Sequence, residues 1–226
     1  MQSYLYNLAT DRNKGVVAGI IKVLLFILSI IYGLVVRILF FVQSRRSQRL
    51  KCKVISVGNI TLGGTGKTTL VEFIACYLKQ QGHRVAILSR GYKRLVRSPE
   101  PGVRSYENMG DEPYMLQENL QGVPVIVDKD RLRSAARAIR DYSVDTVILD
   151  DGFQQWRIKK DLEIVTIDAV NPFGNRHLLP RGILRQGLWA LRRPDVFILT
   201  KTNLNPDIGQ IEEALSKLNP RSLIVE

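Results

Sequence analysis

The sequence predicts an α/β protein with a mostly parallel sheet and helices on both faces, preceded by an N-terminal membrane-associated helix. Two observations indicate this class. From Lys51 onward, short apolar segments that suit buried strands alternate with longer segments that suit helices, at the spacing of right-handed βαβ units. Before them, residues 16–42 are almost wholly apolar, as in a helix that meets lipid.

The alternation defines each element. The predicted strands are 53–58, 84–89, 123–127, 145–150, 163–168 and 195–200. The predicted helices are 67–80, 111–120, 130–141 and 208–218. Residues 222–226 suggest the opening of another strand, so we expect the chain to be incomplete as a folding unit. Because ligands of parallel sheets bind at the carboxyl ends of the strands, motifs that follow these strands should gather at one edge.

Composition indicates an anionic partner. The chain has 226 residues, enough for one good core, and its formal net charge is +12. We find no zinc finger, RNA-binding aromatic motif or long basic run, so an acidic lipid surface or a phosphorylated substrate is favoured over nucleic acid. The two cysteines provide neither a metal spacing nor a disulfide framework. Cys76 is predicted to be a buried thiol on the apolar face of its helix.

The N-terminal helix is interrupted by Lys22, Ser29 and Arg37. Its uninterrupted apolar part is about 14 residues, roughly 21 Å of helix, against a bilayer core of about 30 Å. Small and charged residues form one narrow stripe, at Gly15, Gly19, Lys22, Ser29, Gly33 and Arg37. Basic residues suited to anionic head groups follow, at Arg45, Arg46, Arg49, Lys51 and Lys53. The pattern favours a helix in the membrane plane, or packed on the soluble part, over a spanning helix; a core helix of a soluble protein is the alternative.

A glycine-rich segment between strand 53–58 and helix 67–80 predicts a phosphate-binding loop of the P-loop NTPase type. Its nine residues are Thr61, Leu62, Gly63, Gly64, Thr65, Gly66, Lys67, Thr68 and Thr69. Glycines let backbone N–H groups converge on phosphate oxygens at a helix N-terminus. Lys67 is expected to reach the β- and γ-phosphates, and the Thr68 hydroxyl to ligate Mg²⁺. The strict pattern has glycine where this chain has Thr61.

Carboxylates lie at the ends of two further predicted elements. Asp150 ends strand 145–150 and Asp151 follows it; one of the two would hold Mg²⁺ and the other could orient an attacking hydroxyl, with a simple Asp-Gly turn as the alternative. Asp111 begins a predicted helix, where it is either a helix cap or a general base that accepts a hydroxyl proton.

Cationic residues suit a phosphorylated sugar, although solvated surface charge explains some of them equally well. Arg90 and Tyr92 follow strand 84–89, Arg131 opens a helix that also carries Arg133, Arg137 and Arg140, and Arg181 and Arg185 lie in a loop rich in Gly, Pro and Arg.

The segment after the last long strand, Thr200-Lys201-Thr202-Asn203, is similar to the guanine-reading motif of GTPases. It has Asn203 where an aspartate would read guanine, so we expect adenine.

Six motifs in order resemble tetraacyldisaccharide 4'-kinase, the lipid A 4'-kinase of Gram-negative bacteria. They are Ser56-Val57-Gly58-Asn59 leading into Gly63-Gly64-Thr65-Gly66-Lys67-Thr68, then Ser89-Arg90-Gly91-Tyr92, Gly110-Asp111-Glu112-Pro113, Asp150-Asp151-Gly152-Phe153-Gln154 and Leu179-Pro180-Arg181-Gly182-Ile183-Leu184-Arg185. The resemblance implies phosphorylation of the 4'-hydroxyl of a tetra-acylated disaccharide 1-phosphate by ATP and Mg²⁺, at the cytoplasmic face of the inner membrane. It also implies that Asp111 is the catalytic base and that Lys67 and Asp151 act in the transfer.

The chain departs from the family pattern at three places. It has Gln155 where the family usually has histidine, and Gln186 where the family usually has a glutamate that would favour Mg²⁺. Family members are typically longer by a small C-terminal domain. We therefore expect a membrane helix and basic juncture in 1–50, a kinase core in 51–205, and in 206–226 the start of a shortened or missing domain. A membrane-associated P-loop ATPase acting on a protein, or a non-catalytic nucleotide- or lipid-binding relative, remains as an alternative.

Overall fold

The structure, a computed structural model, describes residues 15–90, 111–205 and 207–226; the side chains of Asp111 and Glu112 are outside this description. The described helices are α1 (Val16–Arg45), α2 (Lys67–Gln80), α3 (Asp111–Asn119), α4 (Arg131–Tyr142) and α5 (Gly209–Leu218). The strands are β1 (Lys53–Gly58), β2 (Val85–Ser89), β3 (Val125–Val127), β4 (Thr146–Asp150), β5 (Leu162–Asp168), β6 (Val196–Thr200) and β7 (Leu223–Val225). Two short 3₁₀ turns cover Leu188–Arg192 and Thr202–Leu204.

The strands form one sheet in the order β3-β2-β4-β1-β5-β6-β7. The pairs β1/β4, β2/β4, β2/β3 and β6/β7 are parallel. The predicted α/β class is therefore confirmed. The strands and helices predicted after residue 50 agree with the observed ones to within two residues at each end, and the N-terminal helix ends three residues later than predicted.

The chain divides into two compact units. The first unit comprises Met1–Arg46, Asn59–Thr65 and Val165–Glu226, and the second comprises Ser47–Gly58 and Gly66–Ile164.

The core of the second unit lies around β2 and β4, whose residues are all buried. Leu88, Val147 and Leu149 pack there with Ala135 of α4. Strands that are covered on both faces have continuous apolar sequences, and for this reason β2 and β4 could be predicted.

The buried face of α2 does not include its cysteine. Val71 and Ala75, four residues apart, form that face, whereas Cys76 is exposed. The prediction of a buried thiol is therefore wrong, because one further residue turns the side chain about 100° around the helix axis.

Within the first unit, one side of α1 packs on residues 177–193. The ring of Phe26 meets His177 edge-on at 5.5 Å, and the ring centroids of Phe40 and Trp189 are 5.0 Å apart. A Cβ on Gly33 would lie 2.6 Å from Leu178 Cδ1, so this glycine permits a close approach. The predicted stripe is thus in contact around Gly33, whereas no described residue lies within 4 Å of a Cβ on Gly15 or Gly19.

The rest of α1 is exposed and apolar. By length and composition, it could cross a membrane. Its exposed apolar side chains include Val16, Val17, Ile20, Val23, Leu24, Ile27, Ile30, Ile31, Leu34, Ile38 and Phe41. A surface of this kind is typical of a helix that meets lipid or a partner.

Candidate functional site

The phosphate loop joins the end of β1 to the start of α2. Gly63 and Gly66 have φ values of 121° and 73°, a region that glycine enters without steric strain. Among the described residues, nothing lies within 4 Å of a Cβ placed on Gly63 or Gly64, so the backbone at these two glycines is open on that side. Lys67 and Thr68 are the first residues of a 14-residue helix, where backbone N–H groups and the helix dipole favour an anion.

Thr61 replaces the usual glycine without strain. Its φ is not positive, and it is buried in an isolated antiparallel bridge with Leu184. A β-branched residue suits such an extended conformation. The departure from the strict pattern therefore leaves the loop intact.

Within the first unit, the loop that contains Arg185 supports the start of the phosphate loop. Arg185 N–H donates to the Ile60 carbonyl at 2.8 Å, and its Nη1 donates to Asn59 Oδ1 at 3.1 Å. Leu62 N–H donates to the Ile183 carbonyl at 2.8 Å. At the end of this segment, the Thr65 hydroxyl is hydrogen-bonded to the Thr166 hydroxyl at 2.7 Å in a buried contact. These contacts hold residues 59–65 in one conformation.

Within the second unit, Asp150 ends β4 beside the end of β1. It is 4% exposed, and Val57 lies opposite it in the parallel register. The hydroxyl of Ser89, the last residue of β2, donates to Asp150 Oδ2 at 3.0 Å. The predicted gathering of the motifs at one sheet edge is therefore confirmed for β1, β2 and β4.

Two glycines let the turn after Asp150 approach β1. A Cβ on Gly58 would lie 2.6 Å from both Cβ and N of Phe153, a side chain that is fully buried. A Cβ on Gly152 would lie 2.5 Å from Ser56 Oγ. Asp151, directly before Gly152, has a φ of 53°, which is uncommon for a residue with a Cβ. Sites that hold such conformations are often functional.

Arg131 is a buried cation next to this carboxylate pair. It is 5% exposed, and it donates from Nη1 to the Asp128 carbonyl at 2.7 Å and from Nη2 to the Asp150 carbonyl at 3.2 Å. Burial lowers the pKa of Arg131 to about 10, while the charges of Asp150 and Asp151 act in the opposite direction. Arg131 therefore stays protonated at neutral pH and offsets the negative charge of the pair.

The other arginines of α4 are on its exposed face. Arg133 donates two hydrogen bonds to the carboxylate of Asp128, and Arg137 and Arg140 form ion pairs with Asp141. The alternative interpretation of a solvated charged face is correct for these three residues and not for Arg131.

The remaining predicted residues are only partly described. Arg90 is exposed at the end of β2, and Arg181 is half-buried. Asp111 begins α3, but its side chain, like Tyr92 as a whole, lies outside the described residues. Their roles stay predictions.

The donor set near Asp150 fits Mg²⁺ bound together with phosphates. Asp150, Asp151 and the Thr68 hydroxyl supply oxygen ligands, and Mg²⁺ is usually held by one or two carboxylates plus substrate phosphates. The described residues contain no group of three or more His, Cys, Asp or Glu that could hold a metal ion.

Gln186 is fully buried, and its Oε1 accepts a hydrogen bond from Arg193 Nη2 at 3.1 Å. Its Nε2 has no hydrogen-bond partner within the described part of the chain. Because the Gln186 side chain is a neutral amide, it contributes no negative charge to the binding of a cation.

Sequence reasoning did not assign roles to three residues that hold this site together. Ser89 and Asn59 belong to motifs that had been singled out, so the position of Ser89 at the end of β2 and that of Asn59 directly after β1 were the available signal. Thr166, in the middle of β5, carries no such signal.

Comparisons with known proteins agree with this geometry. Residues 21–223 match the family described as tetraacyldisaccharide-1-P 4'-kinase. A tetraacyldisaccharide 4'-kinase of Halothermothrix orenii is 37% identical over 239 residues, covering 100% of this chain and 62% of that protein. One of Elusimicrobium minutum is 44% identical over 168 residues, covering 70% of this chain and 45% of that protein.

Among solved structures, LpxK from Aquifex aeolicus in complex with ATP matches with a TM-score of 0.72 and 35% identity, covering 82% of this chain and 61% of that chain. The hydrogenase maturation factor HypB of Archaeoglobus fulgidus matches with a TM-score of 0.50 at 12% identity, which shows the fold alone. The chain spans less than two thirds of the length of these kinase relatives. Because the family match extends over nearly the whole chain, the protein belongs to the tetraacyldisaccharide-1-P 4'-kinase family.

Proposed function

We propose that this chain forms the nucleotide-binding core of an ATP-dependent kinase that phosphorylates the 4'-hydroxyl of a tetraacyldisaccharide 1-phosphate in lipid A biosynthesis. The observation that carries the proposal is the buried carboxylate of Asp150 at the end of β4, next to the strand that runs into the phosphate loop. A P-loop kinase needs a carboxylate at this position to complete its metal site.

The proposed role of the phosphate loop is to bind and polarise the triphosphate. Backbone N–H groups of residues 61–69 would bind phosphate oxygens, and Lys67 would offset the charge of the β- and γ-phosphates. Thr68, Asp150 and Asp151 would hold Mg²⁺, which, when bound, neutralises charge on the transferred phosphoryl group.

In the proposed transfer, the acceptor hydroxyl oxygen forms a bond to the γ-phosphorus, and the bond from that phosphorus to the β–γ bridging oxygen breaks. ADP leaves with that bond's electron pair, and the hydroxyl proton passes to the Asp111 carboxylate. Asp151 would orient the hydroxyl. Arg90, Tyr92 and Arg181 would bind the anionic sugar by charge-assisted hydrogen bonds.

For Arg131 and Arg185 we propose positioning rather than direct substrate contact. The guanidinium of Arg131 holds the carbonyl of Asp150, and that of Arg185 holds Asn59 at the start of the phosphate loop. Loss of either side chain should displace a group of the site while leaving the acceptor's own contacts in place.

We propose that α1 lies in the plane of the bacterial inner membrane on its cytoplasmic face. Its residues 26–40 pack on the protein while most of its apolar side chains stay exposed, which suits a helix half-immersed in lipid. The basic residues from Arg45 to Lys53 would bind anionic head groups. Residues 1–50 would then serve as the attachment segment and 51–205 as the kinase core.

The test is transfer of labelled γ-phosphate from ATP to the disaccharide 1-phosphate in detergent micelles, with Lys67→Ala as the inactive control. Lys79→Ala, in the last turn of the same helix, removes an equal charge away from the loop and should retain activity. ATP hydrolysis without labelled lipid would instead indicate a membrane-associated ATPase. Nucleotide binding with neither reaction would indicate a non-catalytic relative.

A further inference from the structure

Residues 177–185, the late loop, form a folded segment of the first unit that has no helix or strand of its own. Its backbone is hydrogen-bonded to itself: Leu184 N–H donates to the His177 carbonyl at 3.2 Å, and Leu179 N–H donates to the Leu184 carbonyl at 2.9 Å. Leu184 is also buried. Because the two ends of the late loop are joined in this way, a displacement at one end is transmitted to the other.

One side of the late loop pairs with the start of the phosphate loop. Residues 183–185 and 60–62 form a short antiparallel ladder, in which the bridge between Thr61 and Leu184 lies between two backbone hydrogen bonds of 2.8 Å each. A glycine-rich loop loses conformational freedom when it closes on a phosphate. A start that is already held in place lowers this cost of binding.

The helix α1 contacts the late loop at both of its ends. Phe26 meets the ring of His177, and the hydroxyl of Tyr32 donates to the Arg185 carbonyl at 3.0 Å. Tyr32 is half-buried, whereas its neighbour Ile31 is exposed with the other apolar side chains of the helix. A hydroxyl on such a helix needs a partner away from lipid, so this hydrogen bond fixes the rotation of α1 about its axis.

The two sets of contacts meet at Arg185. Its carbonyl accepts from Tyr32, its N–H donates to the Ile60 carbonyl, and its guanidinium donates to Asn59. A single residue therefore connects the apolar helix to the residues that lead into the phosphate loop.

We propose that Tyr32 is a positioning residue of the nucleotide site: by holding Arg185, it keeps the start of the phosphate loop in the conformation that binds phosphates. Apparent affinity falls with the fraction of molecules in the competent conformation, so loss of this hydroxyl weakens nucleotide binding although the hydroxyl donates to the backbone. The proposal rests on the proposed nucleotide-binding function and gives α1 a role beyond membrane attachment.

Equilibrium binding of ATP and of inorganic tripolyphosphate to the whole chain in detergent tests this role without requiring phosphoryl transfer. Tyr32→Phe removes the hydroxyl and retains the ring. We expect the affinity for both ligands to fall equally, by about fivefold, which is the equivalent of one hydrogen bond. The fall is equal because tripolyphosphate has no base and reports the phosphate loop alone. In the labelled-phosphate assay, the KM for ATP should rise by the same factor at unchanged kcat.

A second variant acts on the same interface. Gly33→Leu inserts a side chain against Leu178, whose Cδ1 would lie 2.6 Å from a Cβ alone, and should likewise weaken the binding of both ligands. Two controls lie on the same helix. Gly19→Leu adds the same side chain where no atom of the described residues lies within 4 Å of a Cβ. Ser29→Ala removes a hydroxyl whose hydrogen bond, at 2.7 Å to a carbonyl three residues earlier, stays within the helix.

Circular dichroism checks that each variant is folded, and co-sedimentation with vesicles of phosphatidylethanolamine and phosphatidylglycerol checks that it still binds membranes. Unchanged affinity for ATP and tripolyphosphate in Tyr32→Phe would overturn the proposal, and so would an equal loss in Ser29→Ala and Gly19→Leu. A rise in the KM for the lipid alone would also overturn it, because α1 would then serve attachment only. Binding of ATP by the parent chain without phosphoryl transfer would count against the proposed function alone.

Discussion

Substitution of Gly58 by alanine tests whether close packing behind the carboxylate pair holds the site together. The new Cβ would lie 2.6 Å from the Cβ and the backbone nitrogen of Phe153, and an ordinary contact begins at 3.4 Å. β1 and the turn that follows Asp151 must therefore move about 0.8 Å apart. Phe153 is fully buried and cannot swing away, and Gly152 N–H already donates to the Val57 carbonyl at 2.9 Å.

We expect Gly58→Ala to lower the free energy of unfolding by about 1–3 kcal/mol, the usual range for inserting a methyl group into a packed interior. Urea titration followed by circular dichroism in detergent measures this change. Gly19→Ala is the control, because a Cβ there would meet no atom within 4 Å in the part of the chain that the structure describes. Since the displaced turn carries Asp151, Mg²⁺-dependent ATP binding should weaken as well. A Gly58→Ala protein as stable as the parent, with unchanged ATP binding, would refute this account of the packing.

Four further changes test the site and its surroundings. Lys67→Ala should reduce phosphoryl transfer about a thousandfold or more with unchanged urea stability, measured by labelled γ-phosphate transfer; near-parental turnover would refute its assignment. Asp111→Asn should lower kcat far more than stability, because an amide caps a helix but cannot accept the proton; full activity would leave Asp111 as a cap. Ser89→Ala should raise the Mg²⁺ concentration needed for half-maximal activity while changing stability by no more than about 1.5 kcal/mol, since it removes one hydrogen bond to the carboxylate of β4. Hydrogen bonds from Arg133 lower the pKa of Asp128 in the folded protein. This carboxylate therefore stabilises the fold above its unfolded pKa of about 3.9, and the stabilisation is lost as the pH falls through the lower folded pKa. In urea unfolding measured at a series of pH values, Asp128→Asn should reduce the fall of the midpoint urea concentration at acid pH.

The elements could be predicted because their signals are local. Strands buried on both faces, such as β4, appear as continuous apolar runs, and the helix that starts at Lys67 follows glycines that only a turn would use. Local signals also placed the phosphate loop and Asp150 next to strand ends. The strand order was not predictable, because it depends on which faces pack together.

Burial of individual charges was harder to predict. The four arginines of α4 look equivalent in the sequence, yet Arg131 is buried and the others lie on the exposed face in ion pairs. What distinguishes Arg131 is a set of backbone carbonyls, on Asp128 and Asp150, that only the folded chain brings within reach. A guanidinium can be buried where several acceptors surround it, and sequence spacing does not report acceptors from other elements.

The same reasoning explains why Arg185 was interpreted from its charge alone. In the fold its carbonyl accepts from the Tyr32 hydroxyl of α1 at 3.0 Å, while its N–H and guanidinium hold Ile60 and Asn59. One residue of the late loop therefore contacts both the apolar helix and the start of the phosphate loop, although the partners lie 153 and 126 positions away in the chain. A long loop without helical or strand periodicity is stabilised by contacts of this kind, and its conformation is consequently set by the elements it joins rather than by its own sequence.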